Sequence, residues 1–151
     1  MLTSRFRVLA LGLILLAPAF GQGTSSADNA IVGTWVVTVS PTGMPSFRAY
    51  NVFHSDGTSM EFDNSNAPSA QTPAVGPWVR LAPRQFAFTE INQIFDPQGN
   101  YAGELKVKAT LTVDTPGNSF RSSFTFIVFD TTGAIVFQGD GTAVGQRVGI
   151  E

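Results

Sequence analysis

The feature that most constrains the fold is the segment Tyr101–Val113, whose residues alternate from Glu104 onward. In that part, Leu, Val and Ala fall on one side, while Glu, Lys and Thr fall on the other, which is the pattern of a strand with one buried face. Similar two-residue patterns recur from Val32 onward, and no segment after the N-terminal region shows convincing helical periodicity. The sequence therefore predicts an all-β domain of about eight strands.

Turn signals separate these strands and indicate how they are connected. Three connections share the pattern Asp-x-x-Gly, at Asp96–Gly99, Asp114–Gly117 and Asp130–Gly133. An Asp side chain caps such a turn, and Gly adopts the left-handed conformation that a short hairpin needs. Strands joined in this way usually close, because closure removes exposed edges. The predicted fold is an eight-stranded up-and-down antiparallel barrel, with a sandwich or an open sheet as the alternative. The predicted strands are Val32–Val39, Phe47–His54, Thr58–Asp63, Trp78–Leu81, Arg84–Phe95, Tyr101–Val113, Phe120–Phe129 and Ala134–Gln146.

Two segments depart from regular strand patterning. Asn64–Pro77 is rich in Ser, Asn, Pro and Ala and has no periodicity, so it is predicted to be a long loop or lid at the barrel mouth. The last strand contains Gly139, Gly141 and Gly145, which predict a bent or bulged strand.

The N-terminal region has the layout of a secretory signal peptide. Arg5 and Arg7 precede an apolar run, Val8–Ala17, and small residues follow it. We expect residues 1–21 to be removed by cleavage near Ala19–Gln22, with a retained anchor helix as the alternative. Residues 22–30 then form a disordered lead-in and residues 31–149 a single domain. The predicted location is secreted or periplasmic.

Composition narrows the chemistry. The chain has no cysteine, which excludes disulfides, thiol catalysis, thiolate metal sites and a lipoprotein anchor. Loss of Arg5 and Arg7 leaves seven basic and eleven acidic residues, a formal charge of −4. With no basic stripe, the sequence argues against nucleic acid and anionic membranes as partners, and against membrane insertion after signal cleavage. A single His argues against a His-based metal site, and no cofactor is predicted.

The ends of the domain carry a family resemblance. Gly33-Thr34-Trp35 opens the first strand, and Arg147 lies near the end of the chain. With an eight-stranded meander, this arrangement resembles the calycin superfamily of lipocalins, fatty-acid-binding proteins and avidins, and more narrowly a family of uncharacterised exported bacterial proteins. The resemblance implies that Trp35 packs under the barrel floor and that Arg147 lies across its ring. An Arg over an indole face gains about 0.5–2 kcal/mol.

Residues suited to acid–base catalysis are few. His54 precedes the Ser-Asp-Gly turn and is either a turn residue or a general base. Glu90 and Asn92 share a strand face with two Phe residues; if that face points inward, a carboxylate and an amide lie among aromatic rings, and otherwise they are solvated. Glu61 is a weaker candidate with the same ambiguity.

The domain is rich in aromatic residues. The chain has thirteen Phe, two Tyr and two Trp, and only Phe6 and Phe20 leave with the signal peptide. These rings either fill the core or line a pocket for an apolar or ring-shaped ligand, since an eight-stranded barrel can hold one small molecule. The candidate ligand-binding residues are Tyr50, Trp78, Phe88, Glu90, Asn92, Phe124 and Phe126.

Three functions compete at this stage. The favoured one is an exported barrel that binds a small hydrophobic or aromatic molecule without catalysis. The second is a barrel enzyme of the isomerase, cyclase or hydratase type that uses Glu90 or His54 as its acid–base group. The third is an envelope-associated interaction module that acts through the 64–77 loop. The oligomeric state is not predicted.

Overall fold

The structure, a computed structural model, describes residues 27–149. The predicted signal peptide lies outside these residues. Within them, eight antiparallel strands close into a barrel in chain order, which confirms the predicted fold and excludes a sandwich or open sheet. The strands are β1 (Gly33–Pro41), β2 (Phe47–Phe53), β3 (Thr58–Asp63), β4 (Ala74–Ala82), β5 (Gln85–Phe95), β6 (Tyr101–Val113), β7 (Ser119–Phe129) and β8 (Ile135–Arg147).

The first and last strands close the barrel. They pair antiparallel, from Trp35 opposite Arg147 to Pro41 opposite Gly141. The β2–β3, β4–β5 and β6–β7 turns lie with Trp35 at one end of the barrel, which we call the floor. The other connections lie at the opposite end, the mouth.

Two segments differ from the sequence-based prediction. β4 begins at Ala74 instead of Trp78, because Ala74–Pro77 pair with β3, and the long loop is therefore confined to residues 64–73. The sequence did not predict this part of the strand, because its small residues and a proline are not typical of strands. Residues 27–30, expected to belong to a disordered lead-in, instead form a turn against the floor. Ala30 is buried there, and Asp28 forms an ion pair with Arg80.

The floor is built around one aromatic ring and one cation. Trp35 is fully buried, and its Nε1–H donates to the carbonyl of Ile31 at 2.8 Å. The Arg147 guanidinium lies over the indole, 4.2 Å from the ring centroid. It also donates hydrogen bonds to three backbone carbonyls, those of Ala30, Val32 and Gly117. Arg147 thus ties the entry segment, the β6–β7 turn and the last strand together.

The glycine of the Gly-Thr-Trp sequence has a steric role at this site. Gly33 has a φ of +132°, a region that other residues rarely adopt. A Cβ at this position would lie 2.6 Å from Nη1 of Arg147. Gly33 is therefore required so that the guanidinium can lie against the backbone and reach Trp35.

Replacement of Arg147 by Ala should destabilise the barrel by about 2–3 kcal/mol, because it removes charged hydrogen bonds and a cation–π contact. Urea denaturation measures this loss. Arg121→Ala is the matched control, since Arg121 is exposed on the outer face of β7, and it should change stability by less than about 0.5 kcal/mol. Equal stability of the two variants would contradict the role assigned to Arg147.

The glycines of β8 serve packing against β7. Gly139, Gly141 and Gly145 lie directly opposite Phe126, Phe124 and Phe120, respectively. A Cβ on any of the three would lie between 2.1 and 2.8 Å from the facing ring. The phenylalanine rings therefore cover the bare backbone of β8. The predicted bend at these glycines is not where the irregularity lies: the register shift between β7 and β8 falls at Val128/Phe129.

Gly145→Ala should cost about 1–3 kcal/mol, because the added methyl group would force the Phe120 ring away from Trp35, 5.0 Å from it between ring centroids. Thermal or urea denaturation provides the test. Gly149→Ala is the control, since a Cβ there has no heavy atom within 4 Å. If both variants keep wild-type stability, the steric account of the β8 glycines is wrong.

The Asp-x-x-Gly connections form as predicted. In each turn the Asp carboxylate accepts backbone N–H groups, as in the bonds from Gln98 and Asn100 to Asp96. Gly99, Gly117 and Gly133 all have positive φ values. Hydrogen bonds to the carboxylate hold the pKa of Asp96 below its usual value.

Candidate functional site

A cavity of about 260 Å³ lies inside the barrel between the Trp35 layer and the mouth. Phenylalanine rings from β5 and β7 form much of its wall, together with aliphatic side chains of β1 and β6. Met44 and Phe137 line its outer end, and both are about half exposed. Ser65, Asn66 and Gln71 of the 64–73 loop also line it, so the loop borders the mouth. The aromatic lining residues are Phe47, Phe88, Phe120, Phe124, Phe126 and Phe137.

One sector of the barrel interior is polar and acidic. Ser59 and Glu61 of β3 and Glu90 and Asn92 of β5 project inward, although a strand separates β3 from β5. The intervening strand β4 carries only Ala74 and Gly76 opposite Glu61 and Ser59. Because these residues have almost no side chain, groups from β3 and β5 can approach each other across β4.

Gly76 is needed for this close approach. A Cβ at residue 76 would lie 1.8 Å from the carbonyl oxygen of Thr89 and 3.1 Å from Cα of Glu90. Any larger residue would push β4 away from β5. The acidic sector therefore depends on a backbone contact that only glycine permits.

The polar groups of this sector are only partly satisfied. Nδ2 of Asn51 donates to Oε2 of Glu61 at 2.8 Å, which fixes that carboxyl at the cavity wall. Glu90 is 1% exposed and Asn92 5% exposed, yet Oε1 of Glu90 and Oδ1 of Asn92 have no hydrogen-bond partner among the described residues. Buried polar atoms are usually paired, so the two orphaned oxygens mark this sector as a candidate binding site.

Burial raises the pKa of both glutamates above the ordinary value of a Glu side chain. Loss of solvation raises the pKa of Glu90 to about 8, and the nearby charge of Glu61 adds to the rise. Loss of solvation also raises the pKa of Glu61 to about 7, with the Asn51 hydrogen bond opposing it and Asp63 adding to it. Two carboxyls that interact in a low-dielectric site cannot both ionise easily, so the pair retains a proton near neutral pH.

The structure brings together most of the predicted ligand-binding residues, though not all. Phe88, Phe124 and Phe126 line the cavity. Glu90 and Asn92 lie on the inward face of β5 between Phe88 and Ile94, which both line it, so the inward alternative for this strand is the observed one.

Three other candidates lie away from the cavity. Tyr50 is 47% exposed on the outer face of β2, where Arg48 lies over its ring. Trp78 packs edge-on against Phe86 near the floor, and its Nε1–H donates to the backbone carbonyl of His54 at 2.9 Å. His54 itself is exposed in the β2–β3 turn, far from the mouth.

The acidic sector is completed by three residues that were not predicted from the sequence: Asn51, Ser59 and Asp63. Asn51 lies on the same face of β2 as Ala49 and Phe53, which are both buried. The alternation in this strand could therefore have predicted that Asn51 points inward. Asp63 accepts a hydrogen bond from Nε2 of Gln71 at 2.9 Å, which attaches the loop to the end of β3. No sequence pattern indicates this long-range pairing.

Comparisons with known proteins identify no family for this chain. No family model matches the chain, and no curated protein matches it. A solved structure described as a redesigned β-barrel is similar, with 19% identity and a TM-score of 0.49 over 82% of this chain and 96% of that one. In the described part of the chain, no three acidic, His or Cys side chains group as metal ligands. Residues 27–149 include no helix that is long and apolar enough to cross a bilayer.

Glu90→Gln should flatten the pH dependence of stability. The folded chain keeps this proton up to a pKa of about 8, whereas the unfolded chain loses it near the ordinary value of 4.5. The free energy of unfolding should therefore fall as pH rises from about 4.5 to about 8, by on the order of 1 kcal/mol per pH unit.

Urea denaturation at pH 5, 6.5 and 8 checks this expectation. The Gln side chain cannot ionise, so the variant should lose less stability across this range than the wild type. Glu104→Gln, on the outer face of β6, should follow the wild-type profile. An unchanged profile for Glu90→Gln would show that Glu90 does not carry a displaced titration.

Proposed function

We propose that this chain is an exported, calycin-like barrel that binds one small, largely apolar molecule in its cavity without transforming it. The observation that carries the proposal is the hollow between the Trp35 layer and the mouth, walled by phenylalanine rings. A barrel of this strand number can be filled by its own side chains or can hold one small ligand. Here Phe120, Phe124 and Phe126 pack over glycines, and a space remains in front of them.

The size of the cavity limits the ligand. Its volume of about 260 Å³ is close to the lower end of ligand sites, roughly 300–1,000 Å³, and above the roughly 150 Å³ that admits benzene. A molecule with one or two rings therefore fits better than a long acyl chain. Entry is from the mouth, past Met44 and Phe137. Ser65, Asn66 and Gln71 border the same opening, which favours a rim function for the 64–73 loop over independent partner binding.

The predicted signal peptide supports export, and the Gly33, Trp35 and Arg147 arrangement supports the calycin resemblance. In that superfamily, a closed floor leaves the other end free to admit a ligand. The floor of this chain is closed by the same kinds of groups, an indole beneath a guanidinium.

Binding of a small aromatic probe tests the proposal. Isothermal titration with indole should show saturable binding of one molecule per chain. Ala143 lines the cavity, so Ala143→Leu should weaken binding by about tenfold or more by occupying ligand space. Ala134→Leu is the control, because Ala134 is exposed in the β7–β8 turn. Native mass spectrometry of protein purified from its host would show whether a small molecule is carried along. If indole does not bind, or binds equally to both variants, the proposal fails.

An acid–base enzyme is the second candidate, favoured by one observation. Glu61 and Glu90 form a buried pair that titrates near neutral pH, as carboxyls in acid–base sites often do. Glu90→Gln would separate the two functions once a ligand is known: retained affinity with lost turnover selects the enzyme.

A further inference from the structure

We propose that the cavity selects ligands that carry a protonated amine on a small apolar or aromatic body, with Glu61 and Glu90 as the anionic partner of the ammonium group. The inference rests on the proposed function, since it names the class of molecule that the same cavity would take. Three features of the site support it: the charge of the cavity wall, the unpaired buried oxygens of Glu90 and Asn92, and the aromatic rings that line the cavity.

The cavity wall has negative groups without positive ones. Glu61 and Asp63 line it, and Glu90 lies within charge-interaction distance of Glu61. Among the described residues that line the cavity, none is Lys, Arg or His. A buried carboxylate is costly unless a positive group or several hydrogen bonds accompany it. The protein supplies Asn51 to one oxygen of Glu61 and the Ser59 hydroxyl to Glu90, and neither glutamate receives a cation from the strands packed against it.

The neighbouring strands confirm that no basic side chain reaches this pair. β2 contributes Asn51 on its inward face, and Arg48 points outward. β4 contributes Ala74 and Gly76, whereas its Arg80 pairs with Asp28 near the floor. β6 presents Leu105 and Val107 to the cavity and places Lys106 and Lys108 on the opposite face. The ionisable groups that face the pair are therefore Asp63 and the two glutamates themselves.

An ammonium group is chemically complementary to this sector. Glu61 lines the cavity and can accept hydrogen bonds from the three N–H donors of the ammonium, and the orphaned Oε1 of Glu90 and Oδ1 of Asn92 lie on the inward face of β5, beside Phe88 of the cavity wall. The Phe88 ring lies on the wall next to Glu90, and aromatic faces attract cations. A neutral ligand with one hydroxyl could donate a single hydrogen bond and would bring no positive charge, and an anionic ligand would face a wall of its own sign. An amine with a small apolar body therefore matches both walls: its ammonium group suits the acidic wall, and its body suits the apolar wall.

The proton held by Glu61 and Glu90 gives amine binding a measurable signature. A cation and a proton compete for the same carboxyls, so amine binding should expel a proton to solvent. Because burial raises the pKa of Glu61 to about 7 and that of Glu90 to about 8, this competition falls between about pH 6 and pH 8. Affinity for the amine should rise with pH across this window, since an alkylammonium keeps its charge up to about pH 10.

Three probes of nearly equal shape test the inference on the purified protein: phenethylamine, 2-phenylethanol and 3-phenylpropionate. At pH 8 the amine should bind at least about tenfold more tightly than the alcohol, and the carboxylate should bind most weakly. Alcohol affinity should change little between pH 6 and pH 8. Titration of the amine at pH 6.5 in two buffers of different ionisation enthalpy should show release of a fraction of a proton up to one proton.

Variants locate the effect. In Glu61→Gln, the amine and the alcohol should bind about equally well, and proton release should disappear. In Glu90→Gln, the preference for the amine and the proton release should both decrease. Glu104→Gln, on the outer face, should behave as wild type. The proton-release measurement uses the wild type, so the test holds even if a variant does not fold.

The outcomes separate the two proposals. Equal binding of amine and alcohol, or amine binding without proton release, would overturn the amine assignment and leave cavity binding intact. Failure of the amine, the alcohol and indole alike would overturn both. Tighter binding of 3-phenylpropionate than of the amine would refute the charge argument directly.

Discussion

The contact between Arg147 and Trp35 is the interaction on which the rest of this structure depends. It joins the first strand to the last, and its hydrogen bonds reach the entry segment and the β6–β7 turn. A sheet that closes in this way has no free edge, and its floor is filled by an indole, a guanidinium and the Phe120 ring. Because these groups close the floor, the cavity above them lies toward the mouth, where Met44 and Phe137 line it.

Most of the fold was readable from the sequence, because its signals are local. The alternation in Tyr101–Val113 fixes strand bounds that the structure reproduces, and the Asp-x-x-Gly turns form where predicted. The start of β4 was harder to predict from the sequence, because Ala74 and Gly76 do not form a hydrophobic pattern. They are part of a strand because of their pairing with β3, which is a non-local interaction.

The candidate site was less predictable for the same reason. Glu90 points inward only if the even-numbered residues of β5 face the barrel interior. A register shift of one residue would turn its side chain to the outside. The meeting of Glu61 with Glu90 depends on small residues in the strand between them. The aromatic residues proposed as ligand-binding differ in their positions: Phe88, Phe124 and Phe126 line the cavity, whereas Tyr50 faces outward. Residue type alone does not distinguish these two situations.

The pairing of phenylalanine on β7 with glycine on β8 bears on how such a barrel can diverge. Side-chain volume missing from one strand is restored by its neighbour, while the backbone ladder between them is unaffected. Reciprocal exchanges at these positions, with a smaller residue opposite Gly139 or Gly141 and a larger one in its place, would relocate the hollow without rebuilding the sheet. Related barrels could thus keep one scaffold and one floor while acquiring differently shaped interiors.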